Sequence, residues 1–384
     1  MGLVALGGLL VTALAGFKIV RGRGDIWLPG YLSHLLAARA SAGGTRHVLF
    51  VFVDHYEPDH GSQGVPELGA ARNAEWLAGY RALADRHRDS YGRKPQHSWF
   101  YAADQRNDRV MAGLARAVHE GYGEIELHFH HGDDTNATLP AKLAGVLDWF
   151  RSHGALTSED GKVSFGFIHG DWALDNSGTP GHCGVSRELT ILKAAGCYGD
   201  FTFPAAGLPM QPRKVNSIYY ATDDDRPKSY DTGVDAAVGR RGSGFLVFEG
   251  PLGLRWRWSV TEAAGLEEGH EPSPARVDDW VGAGIGVVGR PEWIFVKIHT
   301  HGIQSRRVVL GDAAHRMFSY LEDTYGRDPY RLHYVTAREA YNVVRAAEAG
   351  LTGDPDSYRD FEIKRPMNRS VAFARGEGSR ASPP

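Results

Sequence analysis

The stretch from Glu124 to Asp134, EIELHFHHGDD, crowds three histidines and two aspartates into its last seven positions. Side chains alternate between faces along an extended chain, so Ile125, Leu127 and Phe129 point one way and Glu126, His128 and His130 the other. The first face is apolar and suited to pack under helices. The second presents two imidazoles immediately before a Gly-Asp-Asp turn. Neutral imidazole is a common metal ligand and carboxylates can complete a shell, so this spacing suits a bound cation. The plainer alternative is a polar strand end bonded to backbone or water. His131 is out of phase with His128 and His130 and is the weaker ligand candidate, while Asp133 stays open as a ligand.

Three other apolar runs end in the same way. HVLFVFVD (47–54) leads into Asp54-His55-Tyr56-Glu57-Pro58, and KVSFGFIHGDW (162–172) ends on His169, Asp171 and Trp172. EWIFVKIHTHG (292–302) ends on His299 and His301, with Lys297 on the same face. Functional sites of parallel α/β folds gather at the carboxyl ends of the strands. Four strands finishing on histidine or aspartate at one end therefore predict a metal-dependent or acid/base site.

Between these runs lie helical patterns, at about 70–91, 106–119, 139–152, 186–195 and 312–325. Strands alternating with helices predict a parallel α/β architecture. About seven repeats over roughly 300 residues suit a closed or nearly closed barrel, with an open doubly wound sheet as the alternative. Neither a GxGxxG turn nor a GxxxxGK[ST] loop follows the first strand, so no dinucleotide or phosphate cradle is expected there. Residues 223–271 read as an irregular insertion with short strands of its own. Thr336-Ala-Arg-Glu339 is a capping box opening the last helix. The residues from 366 to 384, rich in Gly, Ser, Arg and Pro, predict a disordered tail.

The 384 residues carry 43 basic and 46 acidic side chains, a net charge of −3 that argues against nucleic acid as a partner. Two cysteines, Cys183 and Cys197, make no disulfide framework and could pair or stay free. Residues 2–17 carry no charge, and Lys18, Arg21 and Arg23 follow the apolar run rather than precede it. That order predicts an uncleaved single-pass membrane anchor over 1–23, followed by a linker over 24–46 and a folded domain over 47–365. The positive-inside tendency favours the cytoplasmic face for that domain.

Asp54 closing the first strand, His128 in ELHFHHG and His299 in KIHTHG together resemble the motifs of NodB-type polysaccharide deacetylases. These belong to the glycoside hydrolase/deacetylase superfamily of incomplete (β/α) barrels. The resemblance spans about residues 47–350 and implies an incomplete (β/α)7-type barrel with an insertion. His55 stands where the family usually has a second aspartate. His130 lies two residues after His128 rather than four, and FTFPAAG (201–207) lacks the arginine of an Arg-x-Pro motif. The resemblance implies hydrolysis of an N-acetyl group on a glycan, with a divalent ion, zinc by type, held by His128, His130 and His55 or an acidic group of the first strand. The ion would polarise the acetyl carbonyl and acidify its water. Asp54 would take the water's proton, and His299 or His301 would protonate the leaving amine. His169, Asp171 and Trp172 would contact substrate, with Trp172 as a sugar platform or else a core residue. A retaining glycosidase is the alternative, needing two carboxylates about 5–5.5 Å apart, for which Asp171, Glu57 and Glu249 are candidates. A further alternative is an inactive glycan-binding barrel in polysaccharide assembly. Such deacetylases usually act outside the membrane, which opposes the charge argument for the cytoplasmic face.

Overall fold

An eleven-residue strand, β1 (Arg46–Tyr56), is the trunk of the sheet, and almost every one of its residues is buried. Its β-branched and aromatic side chains suit a strand covered on both faces. The computed structural model describes residues 22–37, 43–62, 64–158, 160–178, 183–255 and 260–366. Along one edge β1 pairs in parallel with β11 (Trp293–Thr300). Its other edge is divided. β12 (Tyr330–Val335) lies beside residues 46–51 and β2 (His97–Ala102) beside residues 52–56. From β2 the sheet continues through β3 (Gly123–Phe129), β4 (Phe165–His169), β5 (Cys197–Asp200) and β8 (Phe245–Glu249), all in parallel. β6 (Ser217–Ala221) and β7 (Val234–Asp235) then add antiparallel strands at the far edge. β9 (Gly253–Arg255) and β10 (Val260–Glu262) form a separate antiparallel pair.

The parallel α/β architecture expected from the alternation of strands and helices is present. Closure into a ring is not: among the described residues no ladder joins β8 to β11. The sheet nonetheless curls. Lys297 of β11 donates to the carbonyl oxygen of Phe201, at 3.1 Å, and to that of Phe203, just beyond β5. Strands five places apart in the order come within one lysine's reach only if the face between them is concave. The expected insertion over 223–271 is not separate from this sheet, because β8 falls inside it and extends the parallel series.

The two faces have different cores. On the convex face Phe50, Phe52, Leu127 and Ile298 meet Trp76, Tyr80, Leu114, Phe150 and Phe318 from the surrounding helices. These include α2 (Pro66–Ala84), α3 (Asp108–His119), α4 (Leu139–Ser152), α6 (Pro274–Gly282), α7 (Arg306–Val309) and α8 (Asp312–Tyr325). On the concave face Leu49, Val51, Phe100, Ile168 and Phe295 pack with Ala340, Val343, Val344 and Ala347 of α9 (Ala337–Glu348). Helix α9 therefore fills the lower part of the curl. The predicted capping box of Thr336 and Glu339 opens it. Its second residue, Arg338, makes a buried ion pair with Glu124 of β3 at 2.8 Å, and Thr336 Oγ1 donates to the same carboxylate. What remains open of the curl lies at the carboxyl ends of the strands.

The expected linker over 24–46 instead contains α1 (Gly24–Leu36), with Trp27 buried beside Val215 and Leu252. The single-pass membrane localisation is corrected: among the described residues no helix is long and apolar enough to cross a membrane. Residues 1–21, on which that expectation falls, lie outside the described residues, as does the tail from 367.

Removing one partner of a buried ion pair leaves the other charge without compensation. Arg338→Ala is therefore expected to lower unfolding free energy by about 3–5 kcal/mol, measured by urea denaturation.

Candidate active site

Pairing of β3 between β2 and β4 sets His128 opposite Ala102 and Ile168 on the concave face. His128 Nδ1 lies 2.9 Å from the carbonyl oxygen of Ile168, which can only accept. His130 Nδ1 lies 3.0 Å from Asp104 Oδ1, in the turn that follows β2. With the hydrogen of each neutral ring placed on Nδ1, both Nε2 atoms carry lone pairs. Both point to one carboxylate: each Nε2 is 3.5 Å from Glu57 Oε1. Gln304 Nε2 donates to the other oxygen of Glu57 at 2.8 Å and fixes its orientation. Glu57, His128 and His130 thus converge three ligand atoms within 4.8 Å of one another.

An open cavity of about 500 Å³ lies above these atoms, with His55, Asp171, Trp172, Glu267 and His301 in its walls. His301 Nδ1 bonds to Glu267 Oε1 at 3.0 Å. The electrostatics divide the histidines. Burial opposes charge on His301, but the hydrogen bond and charge of Glu267 outweigh it and raise the imidazole above its ordinary value. His130 behaves alike, with Asp104 outweighing burial. Burial, with less compensation from Glu57, lowers His128. Burial and the surrounding imidazoles hold His55 well below its ordinary value. Burial also disfavours a charged Glu57, yet its bond to His128 and the nearby imidazoles bring it down to about 2.

The expected site residues separate into those that line the cavity and those that do not. His55, His128, His130, Asp171, Trp172 and His301 line it. The His55 ring lies 5.1 Å from that of His128 and 4.6 Å from that of His301, and its Nε2 is buried with no hydrogen-bond partner among the described residues. Asp54 faces the other way. Its carboxylate accepts from His97 Nε2 at 2.9 Å and from the backbone N–H of Gly302 at 2.7 Å, on the convex side of β1. A Cβ on Gly302 would overlap Asp54 Oδ2, so that contact needs glycine. This placement gives Asp54 a structural bond across the strand ends and no wall of the cavity. His299 is half-buried near Gly265 and is not among the residues lining the cavity, and desolvation brings it down to about 3. His169 is fully buried below the rim, bonded to His131 and Glu188 rather than facing substrate space. Glu249 accepts from Gln211 and the N–H of Asn216 and lies apart from the cavity. Asp133 is exposed in the turn. Cys183 and Cys197 are both free and buried.

Sequence reasoning left Glu57 ambiguous and did not single out Asp104 or Glu267. A signal existed for the first. Residues 55 and 57 fall on the same face if β1 continues in phase, so the rim histidine and Glu57 belong together.

No family model matches the chain. No curated protein matches it either. Among solved structures, "Crystal structure of putative polysaccharide deacetylase from Mycobacterium smegmatis" is similar over 82% of this chain and 94% of its own, at 14% identity and a TM-score of 0.45. Likeness at that level transfers no residue roles.

Carboxylates behind metal-binding imidazoles fix the ring and raise its basicity. With added zinc as the probe, Asp104→Asn is expected to weaken any uptake at the cavity about 10–100-fold, measured by competition with a chromogenic chelator.

Proposed function

We propose that the protein is a metal-dependent hydrolase that removes N-acetyl groups from a glycan. The observation that carries this reading is one open cavity with Glu57, His128 and His130 on one side and the His301–Glu267 pair in its wall. The fit to a divalent cation follows from the donors. Both imidazole hydrogens face outward to acceptors, and what remains at the centre is two lone pairs and a carboxylate. A set of two histidines and one carboxylate with open space beyond it suits zinc at a catalytic site. When bound there, the ion would polarise the acetyl carbonyl and lower the pKa of a water.

The residues supply the proton transfers. His55 is held neutral and lines the cavity beside His128 and His301, where it accepts the proton of the attacking water. His301, whose charged form Glu267 favours, delivers a proton from Nε2 to the departing amine. Trp172, its ring 5.6 Å from those of both His55 and His301, offers an apolar face against which a sugar ring can lie. The glycan as substrate is supported by the motif resemblance over residues 47–350. Asp54 and His299 have no proton-transfer role here, because neither lines the cavity.

Zinc-loaded protein is expected to release acetate from N-acetylated oligosaccharides, and Glu57→Gln or His128→Ala to abolish the release. Stoichiometric zinc without acetate release would sink the hydrolase reading. A second outcome concerns pH. His301 acts as an acid, so kcat/KM falls as pH rises through its raised pKa. Glu267→Gln removes the carboxylate that raises it, and the alkaline limb of the profile is expected to move to lower pH.

A further inference from the structure

Below the rim, away from the cavity, lies a second convergence of ligand atoms. His131 Nε2 is 2.6 Å from Glu188 Oε1. His169 Nε2 is 3.0 Å from that same oxygen and 3.0 Å from His131 Nε2. Glu188 comes from α5 (Glu188–Ala194), and all three side chains are fully buried. The hydrogens do not account for this arrangement. His169 Nδ1 lies 2.5 Å from the carbonyl oxygen of Gly170, so the ring hydrogen belongs there and Nε2 keeps a lone pair. The neighbour of His131 Nδ1 is Asp134 Oδ2 at 3.3 Å, too poorly aligned to count as a hydrogen bond. The other oxygen of Glu188 accepts from the N–H of Asp175. At the centre two imidazole nitrogens and a carboxylate oxygen therefore face one another. A single proton on His131 can serve Glu188, but it leaves the His169 lone pair against the carboxylate.

We infer that His131, His169 and Glu188 form a second, structural metal site that takes a divalent transition-metal ion, zinc by donor type. A tetrahedral zinc shell with bonds of about 2.0–2.1 Å spaces its ligand atoms about 3.3 Å apart, within a few tenths of an ångström of two of the three spacings here. Imidazole and carboxylate donors together exclude the all-oxygen preference of calcium and magnesium. The acceptor behind Nδ1 of His169, Gly170 O, is the usual outer support of a metal-binding histidine. Burial makes this a site that holds structure and turns over nothing. It ties the end of β3, the end of β4 and the start of α5 beneath the rim that carries His130 and Trp172.

The second site stands apart from the reaction at the cavity, and its test separates the two. Full-length protein is loaded with zinc, dialysed against EDTA, and its metal measured by mass spectrometry. His130→Ala disables the cavity site only, and is expected to keep close to one equivalent of zinc that leaves on unfolding in guanidinium. Adding Glu188→Gln to that variant is expected to remove it. Folded His130→Ala protein that holds no zinc overturns the inference and assigns the cluster to a buried imidazolium–carboxylate pair. Zinc retention unchanged by Glu188→Gln overturns it equally. If Glu188→Gln fails to fold, as judged by near-ultraviolet circular dichroism, the His130→Ala result decides alone.

Discussion

A neutral imidazole has one N–H, and at the rim of this sheet that hydrogen is committed before any ligand arrives. Ile168 O fixes it on His128, Asp104 on His130 and Gly170 O on His169. For His128 and His130 the acceptor belongs to a neighbouring strand or the turn after it, so sheet register decides which way their Nε2 lone pairs point, while Gly170 is the next residue along the chain from His169. Glu57 and Glu188 then sit where lone pairs meet. The chemistry of the rim is thus a consequence of strand pairing, and a shift of one residue in the register of β3 would turn His128 and His130 away from the cavity.

Alternation explains how one strand end serves two clusters. His130 and His131 are consecutive and leave the chain in opposite directions, the first to the cavity and the second to the buried site. The concave face below is unusually polar for a core. Glu126 accepts from Tyr198 and the N–H of Gly166, and Glu124 is paired with Arg338. Lys297 faces Asp200 and Glu249 as well as two carbonyl oxygens, and burial brings its amine down to about 8. Of these, Glu126–Tyr198 joins β3 to β5 and Lys297 joins β11 to the end of β5, strands that no ladder joins among the described residues, and each buried group is tolerable only because its partners are in place.

The parallel α/β architecture and the rim were legible because parallel strands put their ends on one side, and four ends carried histidine or aspartate. The face of each residue was legible where apolar and polar residues alternate, as in β3. In β1 they do not. HVLFVFV is apolar on both faces and carries no phase, so it did not tell that Asp54 turns to the convex side and His55 to the cavity. Glu188 had no signal at all, being on a helix 19 residues after His169. His131 was correctly read as out of phase, but being out of phase with the cavity placed it in register with another partner.

The segment from His169 to Asn176 shows what the buried cluster holds in place. Asp171, Trp172, Asp175 and Asn176 all have φ between 53° and 55°, a left-handed conformation. Aspartate and asparagine tolerate it through local hydrogen bonds, but tryptophan has no such compensation and the conformation costs about 1–2 kcal/mol. The alternative conformations are removed from both ends. His169 is bonded to Glu188 Oε1, and the N–H of Asp175 to Glu188 Oε2. Gly170 lies so close to His130 that a Cβ would overlap the imidazole Cδ2. One buried carboxylate therefore spans the strained turn, and the turn presents Trp172 to the cavity. Strain of this kind persists only where its surroundings over-determine it, and here the surroundings are the same imidazoles that set the ligand geometry.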